Sequence, residues 1–325
     1  MTLVVFGIDA LDPDLVDPDA HPNLALEAWK PIETIASNVG EPSTHELWPT
    51  IITGLRPEDH GLVLGDDGVA WGNPLLDVGS RLADVVLPDS VQTKIGAWLL
   101  TNTEADAFRT PASYYPENGI ETVFDGRLAK AIGVPNYVVE TETDDREHAL
   151  RQSMGDLFER DPDATGGHRS ADPEAFYNSC LEMAMVRTAR VRAALRGKAF
   201  ELVFGYTSAL DLVGHIAYQS PGMQDAIYAA MDEFVGELRG DLSEDDELLL
   251  VSDHGLQDGV HTEPAMVAAT DERLVDEINS VLDVRSSLER ELNATDHSPG
   301  GHNFAVEGGS DGEIVKEQLE DLGYM

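Results

Sequence analysis

The chain has 325 residues, 42% of them hydrophobic, with 61 acids against 21 bases and a formal net charge of −40. That is enough apolar material for a large core, yet no apolar run approaches the roughly 18 residues that a membrane span needs. The charge repels nucleic-acid polymers, and a single cysteine, Cys180, excludes an internal disulfide.

Leu3 to Ile8 is nearly all apolar, as in a central parallel strand, and is read as a first strand rather than a signal peptide. It ends in Gly7-Ile8-Asp9, with Asp12 and Asp14 in the turn that follows. Ser43 and Glu46 have capping-box spacing, and Trp48 to Thr53 reads as a short helix ending at Gly54. Thr44 therefore falls at or just before a helix N-terminus, where backbone N–H groups and the helix dipole favour an anion. The plainer reading is that Ser43 or Thr44 simply caps the helix.

Residues 77–86 have the spacing of an amphipathic helix, and Lys94 to Leu100 reads as a buried strand. From about 102 to 172 the pattern weakens. The segment holds a Val138-Val139 strand fragment, a helix-like stretch near 144–158, His148 and His168, and is read as a small inserted cap with both histidines exposed. Asp172-Pro173 starts a helix that runs to about Arg196 and stops at Gly197.

The strand Phe200 to Phe204 leads into Asp211-Leu-Val-Gly-His215, an i,i+4 pair whose side chains point the same way on a helical turn. A helix from about Met223 to Leu238 precedes the strand Glu247 to Val251, which ends in Asp253-His254-Gly255, with His261 one loop further on. Helices are expected near 271–282, 284–292 and 311–322. Strand–helix–strand alternation at this spacing argues for an α/β fold with a mostly parallel central sheet.

Carboxylate oxygen beside neutral imidazole nitrogen at strand ends suits hard and borderline metals, and strand ends are where open α/β sheets build their sites. The residues divide between two divalent ions. One takes Asp9, Thr44, Asp253 and His254, and the other takes Asp211, His215 and His261. Two ions roughly 4 Å apart clamp the attacking and leaving oxygens of a phosphoryl transfer. Zinc is the expected metal, with manganese or magnesium as alternatives. The ions would also offset the chain's repulsion of a phosphate.

At these residues the chain resembles the alkaline phosphatase superfamily, in particular its type I phosphodiesterase/nucleotide pyrophosphatase branch. Gly7-Ile-Asp9, Thr44 ahead of Thr53-Gly-Leu-Arg-Pro-Glu-Asp-His60-Gly61, Asp211 with His215, and Asp253-His254-Gly255 match that family's motifs. The final family histidine is matched by His261, with His302 in a Gly-Gly-His loop as the alternative. The resemblance implies an alkaline-phosphatase-like three-layer sandwich as one domain over 1–325, with the inserted cap at about 102–172. It implies a hydrolase of phosphoric ester or phosphoanhydride bonds with Thr44 as nucleophile, acting on a small phosphoester or nucleotide.

One departure is His45-Glu46-Leu47, where the family's diesterases carry an aromatic residue and then Pro-Asn. A phosphomonoesterase or phosphomutase of the same superfamily is the rival enzyme, and a non-catalytic metal-binding protein on the same scaffold is the rival of another class. The acids are spread along the whole chain and lysine is scarce, which fits a halophilic protein in a cytoplasm of high salt. The sequence leaves the oligomeric state open.

Overall fold

A run of six apolar residues buried on both faces can only be an inner strand, and Leu3–Ile8 (β1) lies at the heart of a central sheet. The computed structural model describes residues 1–37, 40–63, 110–139, 154, 157–161, 163–295 and 297. The readings at 77–86 and 94–100, most of 144–158, the helix at 311–322, His148 and His302 lie outside those residues.

The sheet is completed by Ala28–Glu33 (β2), Ala129–Ile132 (β3), Leu202–Thr207 (β6), Glu247–Val251 (β7) and Pro264–Ala269 (β10). Their order across the sheet is β2-β10-β7-β1-β6-β3. Strands β7, β1, β6 and β3 run parallel, while β10 is antiparallel to both β7 and β2. The reversal at β10 follows from its connection. Only a small hairpin, Gly255–Gln257 (β8) with Val260–Thr262 (β9), separates it from β7, and a parallel return needs a longer crossover. A second hairpin pairs Phe158–Arg160 (β4) with His168–Ser170 (β5).

Alternate residues of β1 point to opposite faces, so each face has its own core. Val4, Phe6 and Ile8 pack with the helices Pro22–Ala25 (α1), Pro173–Gly197 (α5), Ala209–Gly214 (α6) and Met223–Arg239 (α7). Leu3 and Val5 pack on the other face with Thr44–Thr53 (α2), Glu272–Val275 (α8) and Val284–Ala294 (α9). Pro57–His60 (α3) and Tyr114–Glu117 (α4) are single turns. The result is the α/β class with a mostly parallel central sheet that the strand–helix alternation predicts, in the three layers that the family resemblance implies. Among the described residues, no helix is long and apolar enough to cross a membrane.

Helix α5 begins as its sequence dictates, with the Asp172 side chain accepting from the Ala175 N–H at 3.1 Å and Pro173 in its first turn. Four local expectations are revised. Ser43 occupies the N-cap of α2 but makes no side-chain cap bond, and α2 starts at Thr44 rather than near Trp48. The helix expected over 271–282 is only the single turn α8, and the strand read at Phe200 to Phe204 is displaced to 202–207. Within the segment read as an insertion, Ala129–Ile132 is an edge strand of the central sheet, paired with β6.

Candidate active site

The parallel strands β7, β1 and β6 end side by side, and register places Gly7 level with Val251 on one side and Tyr206 on the other. Asp9, just past β1, therefore lies between the strand ends leading to Asp253-His254 and to Asp211. Asp211 sits in the first turn of α6, and His215 caps that helix, its N–H bonded to the Asp211 carbonyl at 3.1 Å. His261 is brought across by the β8–β9 hairpin.

Thr44 arrives from the opposite layer on α2. Its approach depends on Trp48, which is fully buried and packs edge-on against Tyr206 with centroids 4.9 Å apart. The indole lies where a side chain at position 7 would be, since a Cβ on Gly7 would stand 2.4 Å from Trp48 Cη2. Thr44 Oγ1 is 3.2 and 3.3 Å from the two Asp9 carboxylate oxygens and 3.3 Å from His254 Nε2. The hydroxyl thus faces the cluster instead of capping its own helix.

His215, His254 and His261 share one arrangement. Each places Nδ1 at 3.0 Å from a backbone carbonyl, of Gly259, Gly255 and Pro42 respectively. A carbonyl only accepts, so Nδ1 carries the proton and each Nε2 lone pair turns to the interior. His254 Nε2 lies 3.4 Å from Asp9 Oδ1 and 3.5 Å from Asp253 Oδ2. His215 and His261 Nε2 lie 3.4 and 3.3 Å from Asp211 Oδ1. Asp211 Oδ1 and Asp253 Oδ2 are buried with no hydrogen-bond donor among the described residues.

Buried carboxylate oxygens that lack a donor, gathered beside imidazole lone pairs, are unfavourable unless positive charge is placed among them. The residues therefore fit divalent cations, and histidines held through Nδ1 by carbonyls are what metal ligation requires. Two groups have ligand atoms within 4.8 Å of one another: Asp211, His215 and His261, and Asp9, Asp211 and His254. Asp211 is common to both, whereas the sequence reading assigns it to one ion.

The protonation states show the same demand. Burial, reinforced by the charge of Asp211, pushes the Asp9 carboxyl up to about 7, against the pull of a 2.5 Å hydrogen bond from the Tyr206 hydroxyl. Burial and the adjacent Asp9 push Asp253 well above the usual carboxylate range. Burial alone would raise Asp211, but the facing His215 and His261 outweigh it and hold it well below. Burial and His261 drive His254 down to about 3, leaving a neutral ligand at pH 7. For His261 burial is opposed and outweighed by Asp211, which raises it to about 9.

All seven residues singled out in the sequence, Asp9, Thr44, Asp211, His215, Asp253, His254 and His261, thus surround one centre. His60 stands apart and braces α2, with Nε2 at 3.1 Å from Thr50 Oγ1 and 3.2 Å from the Glu46 carbonyl. The sequence reading misses Tyr206, whose position level with Gly7 becomes visible only once β6 is paired with β1. It also reads His168 as exposed. That ring is half-buried, stacked on Phe158 at 4.9 Å and 4.9 Å from the His215 ring.

Solved structures to which the chain is similar include the PH0037 protein of Pyrococcus horikoshii, 14% identical over 92% of this chain and 98% of that one, with a TM-score of 0.45. Murine ectonucleotide pyrophosphatase/phosphodiesterase 5 is 16% identical over 78% of this chain, which spans 57% of the murine protein, with a TM-score of 0.42. Alkaline phosphatase from the Antarctic bacterium TAB5 is 11% identical over 91% of this chain and 99% of that one, with a TM-score of 0.45. No curated protein matches the chain. The family model for type I phosphodiesterase / nucleotide pyrophosphatase matches residues 3–298, and the chain belongs to that family of hydrolases acting on phosphoester bonds.

Proposed function

We propose that the protein is a phosphodiesterase/nucleotide pyrophosphatase-type hydrolase in which Thr44 is the nucleophile and two divalent ions, zinc first among them, are cofactors. The observation that carries this reading is the placement of Thr44 Oγ1 at a helix N-terminus, 3.2 Å from Asp9 and 3.3 Å from His254. The ion ligands are Asp9, Thr44, Asp253 and His254 for one ion and Asp211, His215 and His261 for the other, with Asp211 near enough to serve both. When bound, the ions supply charge to the phosphate oxygens and make a hydroxyl or water nucleophilic at neutral pH.

Thr44 Oγ1 loses its hydroxyl proton to solvent as it attacks phosphorus, and the bond from phosphorus to the leaving oxygen breaks, that oxygen taking a proton from solvent as it departs. Asp9 orients the hydroxyl, and the dipole of α2 favours the negative charge gathered at its start. Water then cleaves the threonine ester and restores the free hydroxyl. A small nucleotide or other phosphodiester is the substrate class, since a charge of −40 disfavours a polyanion. The same charge and the lone cysteine support a cytoplasm of high salt as the working location.

The test compares the protein with Thr44→Ala on bis-(p-nitrophenyl) phosphate and p-nitrophenyl phosphate, in high salt with added zinc or manganese. The expected result is faster turnover of the diester and a loss of at least about 1,000-fold in the variant, the scale of losing a nucleophile. Full turnover by Thr44→Ala would sink the nucleophile assignment, and elemental analysis showing no bound divalent metal would sink the cofactor assignment.

A further inference from the structure

Helix α2 carries a proline in its interior, Pro49. Proline has no N–H, so the carbonyl four residues earlier, that of His45, loses its helical donor, and a helix bends where this ladder is interrupted. His45 directly follows Thr44. The missing donor is replaced from a distant part of the chain, because Asn136 Nδ2 lies 2.9 Å from the His45 carbonyl oxygen. The same amide lies 2.9 Å from His45 Nδ1, so its two hydrogens have two acceptors on one residue.

Asn136 is itself firmly held. Its Oδ1 accepts from the Thr110 hydroxyl at 2.9 Å, and its backbone carbonyl accepts from the Tyr115 hydroxyl at 2.8 Å. It is fully buried, with φ at 56°, a left-handed conformation that asparagine tolerates better than most residues. The acceptor side of the amide is fixed by Thr110, so its donor side must face α2.

We propose that Asn136 is a positioning residue for Thr44: it supplies the donor that Pro49 removes from α2, and so fixes the first turn from which Thr44 Oγ1 meets Asp9 and His254. The inference rests on Thr44 being the nucleophile. A displacement of about 1 Å at a reacting group costs about 100-fold in rate, so releasing this turn acts on the chemical step rather than on substrate binding.

The experiment measures kcat and KM for bis-(p-nitrophenyl) phosphate with the full-length, metal-loaded protein in high salt. The variants are Asn136→Gly, which keeps the left-handed backbone available, Pro49→Ala, their combination, and Thr44→Ala. Asn136→Gly is expected to lose about 10- to 100-fold in kcat with KM within about twofold and bound metal unchanged. Pro49→Ala restores a backbone N–H at position 49. It is expected to act like the parent alone and to recover about tenfold or more when combined with Asn136→Gly. Asn136→Asp, the same shape without the donors, is the second variant should the glycine form fail to fold, and the same loss is expected.

Undiminished kcat without the Asn136 amide, a loss expressed equally in KM, or no recovery with Pro49→Ala would overturn the proposal. Retained turnover by Thr44→Ala would instead overturn the nucleophile reading. The Asn136–Pro49 coupling is then read from unfolding midpoints, where recovery in the double variant is still expected.

Discussion

His215 and His261 face each other through their Nε2 atoms at 3.2 Å, although each ring already gives its Nδ1 proton to a backbone carbonyl. Two lone pairs at that distance, with Asp211 Oδ1 beside both, require a cation or a proton between them. A proton and a divalent cation would therefore compete for one space.

Metal loading is expected to release protons and to tighten as pH rises. Asp9 titrates at about 7 and His261 at about 9 in the metal-free protein, both raised above their ordinary values. The stability that such groups contribute is present below their unfolded pKa and lost as pH rises through the folded one. Metal-free protein should therefore lose thermal stability between about pH 7 and 9, where His261 gives up its proton, while metal affinity climbs about tenfold per pH unit for each proton displaced. Calorimetry in buffers of different ionisation enthalpy counts those protons. Loading without proton release would contradict the facing-histidine arrangement.

Tyr206→Phe is expected to move the acidic limb of the pH–rate profile to higher pH. The tyrosine hydroxyl donates to Asp9 Oδ2 at 2.5 Å and pulls that carboxyl down, so without it Asp9 holds its proton to higher pH. A hydrogen bond to a charged group is worth about 1.5–3 kcal/mol, which corresponds to a loss of about tenfold or more at neutral pH that fades in alkali. A uniform loss at every pH would assign Tyr206 a packing role alone.

Gly7→Ala should damage both stability and rate. The added methyl group would stand 2.4 and 2.5 Å from two ring carbons of Trp48, which is walled in by Tyr206 and Phe204. Overpacking of this kind costs about 1–3 kcal/mol. Because Trp48 belongs to α2, relief comes by shifting the helix that carries Thr44, and kcat should fall alongside the denaturation midpoint. A stable variant with full kcat would show that α2 is not seated through Trp48.

The unfolding midpoint should rise steeply with potassium chloride. The formal charge of −40 repels itself, and the screening length falls from about 10 Å at 0.1 M to about 3 Å at 1 M salt. Thermal scans between those concentrations test this, and a flat response would mean that the acids are not balanced by high salt in the working environment.

The central strands were legible because they are buried on both faces and therefore nearly uninterrupted apolar runs, as in Leu3–Ile8 and Glu247–Val251. The edge strands were not. Ala28–Glu33 contains Pro31 and is buried only at Ile32, and Ala129–Ile132 is short and buried only at Ile132, so neither shows an apolar run or a clean alternation. Asn136 was equally silent, because its role depends on a proline in another element.

By itself the sequence determined which residue types stand at the ends of which strands. Acid and imidazole at Asp9, Asp211, His215, Asp253, His254 and His261, with a hydroxyl at Thr44, were enough to point to the phosphoester-hydrolase family to which the chain belongs. Only the tertiary structure decided how those groups are aimed. The histidine rings are oriented by carbonyls of Pro42, Gly255 and Gly259, and Asp211 is placed within reach of both acid–imidazole groups. Every residue carries the same backbone carbonyl, so no side-chain pattern marks the ones that hold a histidine ring in place.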